Sequence, residues 1–362
     1  MNIVETDRIT DAVMLFGSAI TDIRAFTAPS GDVSLYVTSG TGGGQTRFSV
    51  DALGTLTLEQ ELAHSNGIAA GETASLDKIE IGGQTILMLE GAAMGGVPGY
   101  TLGNDGSYDA SAPFTGISSA LVGVSAVSVA GNDFVLAGQS AGFTSYARAP
   151  DGTLTVQDQL IDTDQTALAD IVDSVAYTSN GAAYVAVISR TEHTVSVFAV
   201  SGSGEFTSVG DIGASDGIGM SGLSKIEVAE VLGETFLVAA SSGSSAISVL
   251  RITDTGAPAI ADHVNDSLLT RFDDVTNMSL LTHQGHTFIV ATGSDDGFSL
   301  LSLLPNGRLI HRASIEDSQT NALAGASAAG LWVAGDTLFI AAAGQSDAGL
   351  SQFEVDLSNL GD

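Results

Sequence analysis

A turn glycine followed by a short apolar run recurs seven times along the chain. The copies are GDVSLYV from Gly31, GQTILML from Gly83, GNDFVLA from Gly131, GAAYVAV from Gly181, GETFLVA from Gly233, GHTFIVA from Gly285 and GDTLFIA from Gly335. The steps between these glycines are 52, 48, 50, 52, 52 and 50 residues. A fixed period of this kind marks a chain built from copies of one supersecondary unit, each unable to bury its apolar faces alone.

Each copy sits in a larger unit. A short alternating strand precedes the turn, as in DKIEI (77–81), SKIEV (224–228) and NMSLL (277–281). A Gly/Ser-rich loop follows the apolar run and leads to a third strand, as in TRFSV (46–50), TVSVFAV (194–200), AISVLRI (246–252) and FSLLSLL (298–304). Polar turns in DALGTLTL (51–58), APDGTLTV (149–156) and LPNGRLIH (304–311) then open a fourth strand. Asp-Gly and Asn-Gly between alternating strands are strong hairpin signals. Few segments keep a helical apolar period. The pattern therefore predicts an all-β fold: a seven-bladed β-propeller of four-stranded antiparallel blades, one domain spanning 1–362.

Closure is legible as well. The seventh unit has its first strand near 331–334, its second from Thr337 and its third over 351–357, and no fourth strand follows. The segment NIVETDRI (2–9) resembles fourth strands elsewhere, such as GTLTLEQEL (54–62). It is expected to complete the last blade from the start of the chain, so that no blade edge stays unpaired.

Charge narrows the partners. Asp and Glu number 42 against 11 Lys and Arg, a net charge of −31, with Lys78 and Lys225 the only lysines. Such a surface repels a phosphate backbone and an anionic bilayer, so neither nucleic acid nor membrane insertion is expected. There are no cysteines, which excludes disulfides and thiolate chemistry. The N-terminal segment lacks the basic and apolar regions of a signal peptide.

Candidate site residues come from aligning the first strands. Two residues before the first strand hydrophobe stand Thr21, Asp77, Ser125, Asp173, Ser224, Thr276 and Ala329. Six of these seven carry a hydroxyl or a carboxylate. One reading is a ring of hydrogen bonds between blades near the channel mouth. The other is a cation site there, with Asp77 and Asp173 as metal ligands and calcium, which favours oxygen donors, as the ion. Acidic pairs on loops (Asp162 with Asp164, Asp273 with Asp274, Asp295 with Asp296, Glu316 with Asp317) read as solvated faces. His283 and His286 have metal-like spacing but fall in the turn between first and second strands. No zinc-protease, nucleophile-elbow or phosphate-loop motif is present.

The segment YVTSG (36–40) is similar to the strand motif of YVTN-type, lactonase-like seven-bladed propellers. WD dipeptides and the sialidase Asp-box are missing. The Ala/Gly/Ser/Thr/Asp-rich blades, the scarcity of lysine and the G-x-T-Φ-Φ-Φ-A second strands resemble the propeller regions of RTX (haemolysin-type) calcium-binding secreted proteins of marine alphaproteobacteria. That resemblance implies an extracellular location reached without an N-terminal signal peptide, and calcium. The nonapeptide calcium arrays of that family are absent here, which keeps a cytoplasmic location as the alternative. Neither resemblance transfers catalytic residues.

Two functions compete at this point. The first is a non-enzymatic recognition or structural propeller that binds a polysaccharide or protein partner through its loop-rich face. The alternative is a calcium-dependent, lactonase-like hydrolase or polysaccharide-active enzyme with its site at the central channel mouth.

Overall fold

The computed structural model describes residues 1–362 apart from positions 11, 41–42, 65–69, 93–98, 112–113, 117–120, 140–141, 164–165, 359 and 361–362. Among the described residues the strands form seven sheets of four antiparallel strands. Their innermost strands are Ile20–Thr27, Ala70–Ile81, Val122–Val129, Ile171–Ser179, Leu223–Val231, Asn277–His283 and Ala326–Ala334. Each packs against the inner strands before and after it, and the last packs against the first. The result is a closed ring of seven blades, as the repeat predicts.

Two physical features explain the repeat. The second strand of each blade lies between neighbouring blades, so both of its faces are covered. Glu234–Ser241 and His286–Gly293, for example, are buried from their second residue to their last. A strand buried on both faces reads as a continuous apolar run. The glycine before it has a different cause. In blades 2 to 6 the first hairpin turns through two residues, both with positive φ, as in Leu232 (50°) with Gly233 (84°) and Gln284 (49°) with Gly285 (79°). This geometry matches the twist of the strands and favours glycine. Among the described residues nothing lies within 4 Å of the Cβ that Gly233 or Gly285 lacks, so backbone conformation sets the preference.

The core is distributed around the ring. Among the described residues, seven clusters of buried side chains each join two adjacent blades, for instance Phe236, Val249 and Ile289 between blades 5 and 6, or Ile23, Trp332 and Phe339 between blades 7 and 1. Blade 7 closes as expected: Ile3–Ile9 pairs antiparallel with Leu350–Asp356, and Ile3 and Ile9 are buried. Its inner strand begins at Ala326, earlier than the hydropathy pattern places it. The extra residues, ASAAG, are small and so carry little pattern. Their size is needed, because a Cβ on Gly330 would lie 2.9 Å from Ile23 Cγ2.

Outer strands are tied by side-chain acceptors just past a bulge. Gln60 Oε1 accepts Tyr108 N–H (2.9 Å), Asp158 Oδ2 accepts Phe206 N–H (2.8 Å) and Asp262 Oδ2 accepts Leu309 N–H (2.7 Å). Each donor opens the outer strand of the next blade. Between blades 4 and 5 that strand opens with Pro258, which has no N–H, and the residue just past the bulge is Gly210.

Candidate functional site: a charged cluster on the propeller axis

The inner strands bring a set of charged side chains to the axis. Cross-strand pairing fixes their levels. Asp22, Asp173, Lys225 and Asn277 oppose Thr38, Ile188, Ala240 and Thr292, each seven residues after its turn glycine. Arg24, Asp77, Glu227 and Ser279 oppose Tyr36, Met88, Val238 and Val290, each five residues after it. The first strands thus present two stacked levels, with Asp173 in one and Asp77 in the next.

The ring expected from sequence is therefore corrected in register. Register shifts between Ile20 and Asp22 and between Leu223 and Lys225 move the axial position one residue past Thr21 and Ser224. In blade 6 the axial residue is Asn277 rather than Thr276. Ser125 shares the level of Asp77, opposite Leu136. Ser224 instead joins blades, its hydroxyl donating to Val275 O at 2.8 Å. The expected inter-blade hydrogen bonds exist, but carboxylates carry several of them.

Lys225 Nζ stands 3.1 Å from Asp173 Oδ2 and 3.3 Å from Asp77 Oδ1. The two residues expected to hold a cation thus share one ammonium. Arg24 places Nη1 2.6 Å from Glu227 Oε1, Nε 3.2 Å from Asp22 Oδ2 and Nη2 3.9 Å from Asp77 Oδ1. Asp22 also accepts Leu76 N–H (2.8 Å) and the Asn277 amide (2.9 Å), and Asp173 accepts Ile226 N–H (2.9 Å). Blades 1, 2, 4, 5 and 6 all contribute. Among the described residues no group of three or more His, Asp or Glu side chains is disposed to hold a metal ion.

Environment separates the carboxylates. Burial opposes ionisation of Asp22, yet Arg24, Lys225 and the two hydrogen bonds hold it below the usual carboxylate range. Burial dominates at Asp173 and pushes its carboxyl up to about 6, against the pull of Lys225. Glu90 is pushed well upward by burial and by Asp77 and Asp173. It accepts Gly123 N–H at 2.7 Å and so bridges blades 2 and 3. Burial opposes the charge on Lys225, but Asp173 and Asp77 raise its proton affinity. Perturbed groups of both signs lining a cleft are a signature of functional sites.

A cavity of about 410 Å³ adjoins the cluster. Arg24, Asp77, Asp173 and Glu227 line it, with apolar wall from Phe26, Val124 and Ile226. Its remaining lining, including Lys78 and Glu80, runs along the inner strands toward the turns that join them to the second strands. The cavity thus lies toward the face opposite the long loops that lead into the inner strands, such as 266–276. Among the described residues, two side chains of its wall each carry a buried polar atom without a hydrogen-bond partner, Arg24 Nη2 and Asp77 Oδ2. Asn277 Oδ1, nearby on the axis, lacks one too. Arg24 is only 8% exposed and Asn277 6%.

The loop acids hold loops in place, Asp162 and Asp317 within one loop and Asp273 and Asp296 between different loops. Asp162 Oδ1 accepts Leu168 N–H, Asp296 Oδ1 accepts Gly325 N–H, Asp317 Oδ1 accepts Leu323 N–H and Asp273 Oδ1 accepts the Ser245 hydroxyl. Glu316 pairs with Arg271. Asp164 lies outside the described residues. His283 and His286 face each other across a hairpin turn, as expected.

Comparison with protein-family models and with curated proteins returns no match. Solved structures do resemble the chain. A protein from Lactobacillus plantarum aligns with a TM-score of 0.58 at 16% identity, over 93% of this chain and 97% of that one. A periplasmic gluconolactonase from Pseudomonas aeruginosa aligns at 0.59 and 15%, over 83% and 85%. A putative 6-phosphogluconolactonase from Bacteroides uniformis aligns at 0.56 and 14%, over 78% and 82%. The chain is thus a seven-bladed propeller with lactonases among its structural neighbours, a likeness of fold alone. Nothing in these comparisons supports the expected likeness to RTX-type proteins.

Proposed function

We propose that the chain hydrolyses a small cyclic ester, a lactone, bound in the axial cavity. One observation carries this reading: two side chains that line one cavity, Asp77 and Arg24, each carry a buried atom, Oδ2 and Nη2, that makes no hydrogen bond among the described residues. A general base and an oxyanion donor are the two groups that lactone opening requires. The lactonase-like fold agrees with it.

In this reading Asp77 Oδ2 takes a proton from water as the water oxygen bonds to the lactone carbonyl carbon. Arg24 Nη2, with Lys225 behind Asp77, stabilises the oxyanion that develops. Collapse breaks the ring C–O bond, and the leaving oxygen recovers the proton from Asp77, giving the hydroxy acid. The Lys225 ammonium, held by Asp77 and Asp173, serves where a calcium ion would otherwise be invoked. A calcium ion between these carboxylates would meet that ammonium as a like charge.

The test is turnover of D-glucono-1,5-lactone, followed by acid release in a pH-stat. Asp77→Asn is expected to lower kcat at least a hundredfold while leaving the circular dichroism spectrum unchanged. Equal rates for the two proteins, or no turnover by the wild type, overturn the reading.

A second reading has its own observation. Leu268 and Leu269 are 95% and 76% exposed on the loop leading into the inner strand of blade 6, on the long-loop face. Paired exposed leucines favour recognition of a polysaccharide or protein partner there. Leu268→Ser with Leu269→Ser should then abolish capture of that partner without changing lactone turnover.

A further inference from the structure

The cavity's charge says more about what can enter it. Its wall carries four carboxylates, Asp77, Glu80, Asp173 and Glu227, against two cations, Arg24 and Lys78. Those cations are already engaged. Arg24 lies 2.6 Å from Glu227, and Lys78 Nζ lies 2.8 Å from Glu80 Oε1. Lys225, behind the wall, is committed to Asp173 and Asp77. The whole chain adds its own field, with a net charge of −31.

A phosphate or carboxylate group is recognised by cations not already neutralised, above all by a forked arginine. The engaged cations of this wall offer no such fork. An anion moving into the cavity would meet surplus negative charge. A neutral hydroxylated ring meets a different surface. Asp77 Oδ2 can accept from a hydroxyl, Arg24 Nη2 can donate to a ring or hydroxyl oxygen, and Phe26, Val124 and Ile226 can cover its apolar face.

We infer that the axial cavity selects uncharged, polyhydroxylated rings and rejects their phosphorylated or carboxylated counterparts. The inference rests on the cavity being the site of the proposed hydrolysis, and it adds a direction to that reaction. The substrate enters neutral, the product ionises to a hydroxy-acid anion, and the same carboxylates expel it. The reaction supplying the substrate would then be one that oxidises a free sugar at its anomeric carbon, without prior phosphorylation.

Binding and turnover separate the two ideas. 1,5-Anhydroglucitol, a neutral ring that cannot be hydrolysed, and its 6-phosphate would be titrated calorimetrically at low ionic strength. The neutral ring is expected to bind at least tenfold more tightly. Glu80→Lys, which reverses one charge at the wall outside the reacting groups, is expected to narrow that ratio severalfold. D-Gluconate should not inhibit lactone turnover at concentrations where anhydroglucitol does. Equal or tighter binding of the phosphate, or binding of neither ring, overturns the inference. Binding of the neutral ring without any lactone turnover would remove the hydrolase and leave the selectivity intact. Faster turnover of the phosphorylated lactone would do the reverse.

Discussion

Lys225 of blade 5 and Asp77 of blade 2 meet across the axis, Nζ to Oδ1 at 3.3 Å, although 148 residues of chain separate them. The same ammonium holds Asp173 of blade 4. One cation therefore spans three blades. Breaking a buried ion pair by removing one member costs about 3–5 kcal/mol, because the other charge is left uncompensated. Lys225→Met should destabilise the protein by roughly that amount in urea at pH 7.5. At pH 5 the loss should be smaller, because Asp173 can then take up a proton. Adding Asp173→Asn to Lys225→Met should recover part of it. Equal losses at both pH values would contradict this account of the cluster.

Asp173 also sets a pH dependence. Its folded pKa, about 6, lies above its ordinary value of 3.8, so the native state holds this proton more tightly than the unfolded chain does. The stability it contributes is fully present below about pH 4 and is lost as pH rises through 6. A shift of this size corresponds to something on the order of 3 kcal/mol. Asp173→Asn removes the titration. The stability of that variant relative to wild type should therefore improve between pH 4 and pH 7, and a flat difference would be the contrary result.

The first hairpin turn of blade 5 carries a local cost. Leu232 has φ 50° and is 78% exposed, so it holds a left-handed conformation with little packing to offset it. A side-chain-bearing residue there costs roughly 1–2 kcal/mol relative to glycine. Leu232→Gly is expected to raise the urea midpoint, with a gain of about 1 kcal/mol. No gain would show that the leucine makes contacts that compensate.

The outer latches make a paired prediction. Asp262→Ala leaves Leu309 N–H without its acceptor and should cost about 1.5–3 kcal/mol, the range for hydrogen bonds to charged groups. At the equivalent place between blades 4 and 5, Gly210→Asp alone should bring no gain, because Pro258 has nothing to donate. Combined with Pro258→Ala it should recover stability, giving a favourable coupling energy in a double-mutant cycle. Strictly additive effects would dismiss the latch.

The ring of blades and its closure were legible because they are written in features that a sequence states outright: a glycine at a two-residue turn, and an apolar run where both strand faces are covered. The axial cluster was legible only in part. Asp77 and Asp173 were read as ligands of a metal ion, and the structure brings them to one ammonium. Asp22 and Lys225 were missed by a single residue, since irregularities in the inner strands shift the axial position in a way that counting back from a hydrophobe does not follow. Arg24 was missed because, apart from Asp22 on its own strand, its partners lie on other blades, Glu227 being 203 residues away. Glu90 did leave a trace: it interrupts the apolar run TILMLEG where other second strands carry Thr38, Ile188, Ala240 or Thr292. The two lysines were a further signal, for both fall in inner strands of a chain poor in cations.

Because Ile3–Ile9 and Leu350–Asp356 are neighbours in one sheet, the ring has no privileged starting point. The backbone could be rejoined there by a short linker and severed instead at the exposed loop near Leu268, and each blade would still find all four of its strands. Such a circular permutant should keep the axial cluster whole, since none of its members depends on which residue happens to come first. The order of translation and the order of blades around the axis are, in this fold, separable properties.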